Sequence, residues 1–228
     1  MSRRRWMRAD WPQSIHTLAE RVQERSFAKD KSSGFILERV RNEFFEARYI
    51  ERYEFHETIE DPFGNELTFD RLEFRQTLFR ATSAWPGLEL VDAPRSSQSL
   101  LSQLLELTRF ELSVTPLNVD ILLWAESLQE VVGIPVVIDS IQLGALHIDE
   151  GVNAKIILKG EKDVRTACKE LTGGRTHTVE KIQCRILQGD LRSLVLLSNN
   201  AAVKIEGAQS SDEILAALRA SLPRPLFY

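Results

Sequence analysis

Apolar and polar side chains alternate with period two in short stretches near the end of the chain. Ile182, Cys184 and Ile186 interleave with Lys181, Gln183 and Arg185, and Val203 and Ile205 with Lys204 and Glu206; the apolar run Leu194–Ser198 lies between them. Such alternation predicts half-buried strands. Gln188-Gly189-Asp190 and Asn199-Asn200 supply turns, since Asn tolerates the left-handed backbone that tight turns need. Ser210 and Glu213 have the spacing of a capping box. Ile214, Leu215, Leu218 and Leu222 then follow at helical spacing until Pro223 stops the helix.

The same reading runs from the start of the chain. Asp10 is placed to cap a helix with Pro12 in its first turn and a stripe of Trp11, Ile15, Leu18 and Val22. Lys29 to Gly34 reads as a polar linker, and Phe35, Ile36, Leu37, Val40, Phe44 and Phe45 suggest a second helix, although aromatic residues also favour strands. From Ala47 the period becomes two, with Tyr49, Tyr53, Phe55 and Ile59 on one face. Asp61-Pro62-Phe63-Gly64-Asn65 turns the chain into a long returning strand, Glu66 to Ser83. Setting Glu60 opposite Leu67 pairs Phe55 with Leu72, Tyr53 with Phe74 and Tyr49 with Leu78, a row chosen because burial outweighs exposed ion pairs. That register also sets Arg52 opposite Arg75 and Glu54 opposite Glu73.

A short strand, Leu88 to Val91, and a helix from Ser96 or Ser97 to Thr108 follow. Next come a strand (Phe110 to Val114), a helix (Asn118 to Val132) ended by Gly133, and a hairpin of Val136–Leu146 and Val152–Leu158. A helix, Asp163 to Leu171, stops at Gly173-Gly174. The expected architecture is α+β, a curved and mainly antiparallel sheet with helices packed on one face. Residues 1–34 form a basic, aromatic arm and helix; 35–110 and 111–228 form two α+β units. Leu88-Glu89-Leu90 and Ala93 answer Val203-Lys204-Ile205 and Ala208, so the two β-β-β-α runs look related by duplication.

A strand ending at Ser198, a hairpin, a strand into Gly207-Ala208 and a Ser/Glu-capped helix resemble the second part of a TATA-box-binding-protein repeat. The amino-terminal domain of type III ribonuclease H looks similar in the same place, over roughly residues 178–222. The hairpin departs from the family, which favours Ser-Gly-Lys where this chain has Ser198-Asn199-Asn200. The paired DNA-wedging phenylalanines of the family have no counterpart, so the resemblance implies topology alone.

Composition adds few constraints. The chain has 228 residues, 43% of them hydrophobic and 27% charged, with a formal net charge of −4 that gives no general attraction for polyanions. Two cysteines, Cys168 and Cys184, make no disulfide framework and read as buried reduced thiols. No stretch has the apolar length of a membrane span or a signal peptide, so a soluble cytoplasmic protein is expected. No zinc spacing, serine elbow or phosphate-cradling loop occurs, and neither a catalytic set, a metal nor a cofactor is assigned.

What chemistry remains concerns recognition. Arg3, Arg4, Arg5 and Arg8 interleave with Trp6 and Trp11, a pattern suited to neutralising phosphates while an indole stacks on a base. Arg52, Arg71 and Arg75 form a polar lattice with His56, Glu54 and Glu73. Phe227 and Tyr228 give the chain an apolar end that can pack on its own sheet or on another chain. The expectation is a non-catalytic recognition protein that binds a protein partner, with nucleic acid as an optional second partner. Direct DNA or RNA binding through the basic arm and the sheet face is the rival. A metal-dependent hydrolase using Asp139, His147, Asp149 and Glu150 is the third reading.

Overall fold

A computed structural model describes residues 2–188, 191–207 and 211–224, without the side chains of 187, 188, 191, 192 and 211. Its elements run β1 (Ser2–Asp10), α1 (Ile15–Glu24), β2 (Ser33–Val40), β3 (Phe44–Glu60), β4 (Glu66–Thr82), β5 (Gly87–Val91), α2 (Gln98–Leu107), β6 (Ser113–Pro116), α3 (Ile121–Val132), β7 (Val136–Asp149), β8 (Val152–Lys159), α4 (Arg165–Thr172), β9 (Val179–Gln188), β10 (Leu191–Ser198), β11 (Ala202–Glu206) and α5 (Ser211–Ala220). The strands pair mainly antiparallel, so the class is α+β as the patterns predict. The chain divides into two compact units, Met7–Thr115 and Met1–Trp6 with Pro116–Tyr228.

In the Met7–Thr115 unit, β2, β3, β4 and β5 pair in sequence order. Phe35, Phe45, Tyr49 and Phe79 meet edge to face or tilted, with centroids 5.2 to 6.0 Å apart, and α1 covers them with Ile15, Leu18, Ala19 and Val22. Two expectations fail here. Residues 35–40 and 44–45 are strand, because a short aromatic and β-branched run pairs better across a ladder (Phe35 with Tyr49, Val40 with Phe45) than it packs as a helix. The first helix begins after Ser14, whose Oγ accepts the Thr17 amide at 3.2 Å. Asp10 instead ends a strand.

The β3–β4 register also differs from the expected one by a residue. Ile59 faces Leu67, Phe55 faces Arg71, Tyr53 faces Glu73 and Arg52 faces Phe74. Asp61 sets this. Its Oδ1 accepts the amides of Phe63 (2.8 Å) and Asn65 (2.9 Å), its Oδ2 takes Asn65 Nδ2 (2.9 Å), and its own N–H reaches Asn65 O (2.8 Å). The five-residue loop therefore closes with Glu60 opposite Glu66. A slip of one residue moves every side chain to the other face, so Leu72, Phe74 and Leu78 lie away from Tyr53 and Phe55.

In the other unit the order is β11, β10, β9, β7, β8, with residues 2–5 of β1 along β11. Ile182, Cys184, Ile186, Val195, Leu197, Val203 and Ile205 are buried on one face, under α3 and α5. Asp120 caps α3 by accepting the amides of Leu122 (2.9 Å) and Leu123 (3.1 Å), and Gly133 ends it at φ 68°. Trp124 of α3 is fully buried, edge-on to Trp6 at 5.6 Å, with Nε1 donating to Ser221 Oγ at 3.2 Å. Arg165 of α4 lies 4.0 Å from Glu126 of α3, which sets the two helices on the same side of the sheet. The expected cap Ser210 and the turn at 189–190 fall outside the described residues.

Gly87 opens β5 at φ 102°, and a Cβ there would drive into the backbone of Ala9. Both the dihedral and the close approach demand glycine. Gly87→Ala is expected to cost about 3 kcal/mol of stability in urea denaturation. A loss smaller than about 0.5 kcal/mol would show that the approach is not constrained.

Candidate functional site

Beyond the reach of β2 and β5, strands β3 and β4 continue as a two-stranded ribbon. The β2 pairing ends at Glu51 and the β5 pairing covers only Leu78–Ala81 of β4, whereas β3 and β4 stay paired as far as Glu60 and Glu66. On this ribbon Phe55, Ile59, Phe63, Leu67, Phe69, Leu72 and Phe74 are all solvent-exposed, from 37% for Phe55 to 89% for Phe63. Ile59 and Leu67 pair directly, with Phe69 and Phe55 on the same face beside them, so four apolar side chains form one stripe. Clustered exposed apolar residues of this kind mark interaction surfaces, whereas isolated ones do not. Around them stand Glu54, Glu57, Glu60, Asp61, Glu66, Asp70 and Glu73, against only Arg52 and Arg71 between residues 52 and 74.

The predicted lattice is divided between the two faces of the ribbon. Arg52 reaches Glu54 (2.7 Å) and the Lys29 carbonyl (2.6 Å), and His56 Nδ1 lies 2.6 Å from Asp70 Oδ1, all on the Phe74 face. Arg71 sits between Glu57 (3.6 Å) and Glu73 on the Phe55 face, while Arg75 stacks 4.4 Å over the Tyr53 ring. Each of these arginines already has a carboxylate or an aromatic ring as neighbour, which leaves little for phosphate.

A second surface lies on the other unit, on the sheet face opposite its helices. Strand pairing lines up Arg3, Lys204, Leu196, Gln183, Ser140 and Lys159 in one row across six strands. The adjacent row holds Arg5, Ala202, Ser198, Lys181, Gln142 and Ile157. Neither row contains a carboxylate. Three carboxylates border them: Glu180 holds Lys155 at 2.8 Å, Glu206 pairs with Lys204, and Asp139 Oδ2 lies 2.9 Å from Arg185 Nε at an angle short of a hydrogen bond. Lys155 and Gln142 hold the Glu180 carboxyl below its ordinary range.

Of the predicted arm, Arg3 and Arg5 belong to these rows and Arg4 points to the opposite side, where its Nη1 donates to Ser2 Oγ at 2.7 Å. Trp6 is only 1% exposed and packs on Trp124, so its indole is part of the core rather than a platform for a base. Arg8 Nε donates to Asp10 Oδ2 at 3.0 Å. Residues 2–10 are thus a strand, where the sequence suggested an arm leading into a helix. Phe227 and Tyr228 lie outside the described residues. Sequence reasoning missed the face made by Lys159, Lys181 and Lys204: Lys181 alternates in step with Gln183 and Arg185, but only strand pairing brings Lys204 and Lys159 into line with them.

Asp139, His147, Asp149 and Glu150 do not gather. Asp139 accepts Gln183 Nε2 at 3.0 Å and pairs with Arg185, while Asp149 accepts the Glu150 amide at 2.8 Å in the hairpin turn. Among the described residues no cluster of three or more His, Cys, Asp or Glu side chains could hold a metal ion. No helix among them is long and apolar enough to cross a membrane. The chain matches no protein-family model, and no curated protein matches it in sequence.

Cys168 and Cys184 are both free and buried. Burial raises the Cys168 thiol, and burial beside Asp139 pushes the Cys184 thiol up to about 12. A protonated, inaccessible thiol is a poor nucleophile. Neither cysteine is expected to react with an aromatic disulfide reagent until the protein is unfolded; rapid reaction of either in the native state would contradict this burial. Asp163 offers a second test. Burial alone would raise its carboxyl, but the Arg165 guanidinium and the amides of Arg165 and Ile138 outweigh burial and hold it below the ordinary range. A depressed carboxyl stabilises the fold above its unfolded pKa and loses that contribution as the pH falls through its folded value. Asp163→Asn is expected to cost roughly 1–2 kcal/mol near neutrality. The difference from wild type should shrink below about pH 4, as read by denaturation at several pH values.

Proposed function

We propose that this is a non-catalytic recognition protein that docks onto a protein partner through the β3–β4 ribbon. The observation that carries this reading is the exposed stripe of Phe55, Ile59, Leu67 and Phe69, set on strands that continue past the core-forming part of their sheet. A ribbon extending beyond its core gains only the modest energy of cross-strand pairs by carrying large apolar side chains. Such side chains favour a surface that loses water when a partner arrives. Its surplus of carboxylates supports a protein partner over nucleic acid for this element.

Direct binding of DNA or RNA is the second reading, and the two rows through Arg3, Lys204, Lys159, Arg5 and Lys181 favour it for the other unit. Neither row holds an aromatic ring, so contact there would be with phosphates and insensitive to sequence. The resemblance of residues 178–222 to a TATA-box-binding-protein repeat belongs to this second reading as a statement of topology.

A photo-crosslinking amino acid in place of Phe69 is expected to trap one dominant protein adduct in the native cell. Ile59→Ser with Leu67→Ser should abolish it; absence of any adduct from the wild-type ribbon would remove the docking reading. For the second reading, duplex and single strands are titrated at low and high salt. Salt-sensitive binding lost in Arg3→Ala/Lys181→Ala/Lys204→Ala supports it, and no binding at low salt eliminates it.

A further inference from the structure

We infer that the ribbon's protein partner anchors itself by a lysine or arginine side chain seated in a cleft at the ribbon's root, beside Glu51; the inference rests on the reading of the ribbon as a docking element. The cleft has a volume of about 560 Å³ and lies between the start of β2, the middle of β3 and the amino end of α2, all in one unit. Much of its wall is hydroxyl and carboxamide, from Ser32, Ser99, Ser102 and Gln103. Two full charges stand among them, Glu51 and Arg52. Arg52 is already engaged, by Glu54 at 2.7 Å and the Lys29 carbonyl at 2.6 Å.

Glu51 lacks a cation. Its half-buried carboxylate accepts the Tyr53 hydroxyl at 2.9 Å, and among the described residues it forms no ion pair. Arg75 faces it across the strand pair but turns its guanidinium over the Tyr53 ring, 4.4 Å from the centroid. On the far wall, at the amino end of α2, the Gln98 amide is taken by Ser96 Oγ at 3.4 Å. An ionised carboxylate offers about four acceptor sites, and the Tyr53 hydroxyl uses one of them. An ammonium or guanidinium fills the others with charge-assisted bonds, while the surrounding serine and glutamine oxygens accept its remaining N–H groups. A neutral side chain of the same length leaves the charge of Glu51 unanswered, and an acidic one is repelled.

The cleft also opens onto the apolar stripe, which is why a protein segment fits it better than a free amine. Strand β3 carries Glu51, Tyr53, Phe55 and Ile59 on one face, and the Tyr53 and Phe55 rings stack with centroids 6.2 Å apart. At about 3.3 Å per residue, Phe55 lies roughly 13 Å along the strand from Glu51. The partner's basic residue is therefore separated from its first apolar contact by about four residues in an extended segment, or about nine in a helix.

Nuclear magnetic resonance titration of the full chain with the methylamides of N-acetyl-lysine, N-acetyl-arginine and N-acetyl-norleucine tests the seat. The two cations are expected to shift the backbone amides of residues 49–53 and 96–103 saturably, and the neutral analogue to bind about tenfold more weakly. Glu51→Gln should bring the cations down to the level of norleucine, with amides elsewhere unmoved as the check that it folds. No shift from either cation, equal shifts from norleucine, or cation shifts that survive in Glu51→Gln overturn the seat. Shifts of the same amides on raising the protein concentration alone identify a second copy as the occupant and overturn a separate partner. The crosslink from position 69 supplies the second arm: its adduct is expected to fall about tenfold in Glu51→Gln. An adduct undiminished in Glu51→Gln overturns the anchor and leaves docking by the ribbon standing. No adduct from the wild-type ribbon removes the partner, and this inference with it, even where the cleft takes the free cations.

Discussion

The carboxylate of Asp61 decides which side chains this protein shows to its surroundings. By gathering the amides of Phe63 and Asn65 and the Asn65 carboxamide, it closes a five-residue loop and sets Glu60 against Glu66. Side chains in a strand alternate with period two, so that one closure fixes the parity of both seventeen-residue strands down to the core. Phe45, Ala47 and Tyr49 face inward at one end, and Phe55 and Ile59 continue the same face beyond it, where nothing in their sheet covers them. The apolar stripe is the exposed extension of the core's own face.

The other unit is organised by the same alternation with a different outcome. Trp124 and Trp6 fill its interior, and the residues at core parity on β9, β10 and β11 meet them. The opposite parity is left to Lys181, Gln183, Arg185 and Lys204, and strand pairing converts a scattering of single charges into continuous rows. A chain with a net charge of −4 thereby carries a basic face. Net charge misled because the carboxylates are concentrated elsewhere, notably on the ribbon.

Much of this was legible in the residues. The alternation at Ile182–Ile186 and Val203–Ile205 and the Gly133 stop are local signals, and the structure has the expected element at each. Where reading failed, the deciding partner was distant in sequence. Phe35 to Val40 pairs with residues up to fourteen positions away, and its three consecutive apolar residues followed by two charged ones fit neither the strand nor the helix period. Arg3 to Arg5 reads as part of an arm until β11, about two hundred residues on, offers it a ladder. The register error came from weighing cross-strand pairs against one another while treating the loop as passive, when Asp61 had already settled the matter. The site was less legible than the fold. Exposure of Leu67 and Phe69 depends on where β2 and β5 stop, which no local pattern announces.

A ribbon whose outer half contributes little to the interior is also free of the interior's demands. Its side chains can be exchanged one at a time while Phe45, Phe79 and Tyr49 go on holding the unit together. Its specificity can therefore drift faster than its scaffold, as a key can be recut without changing its bow.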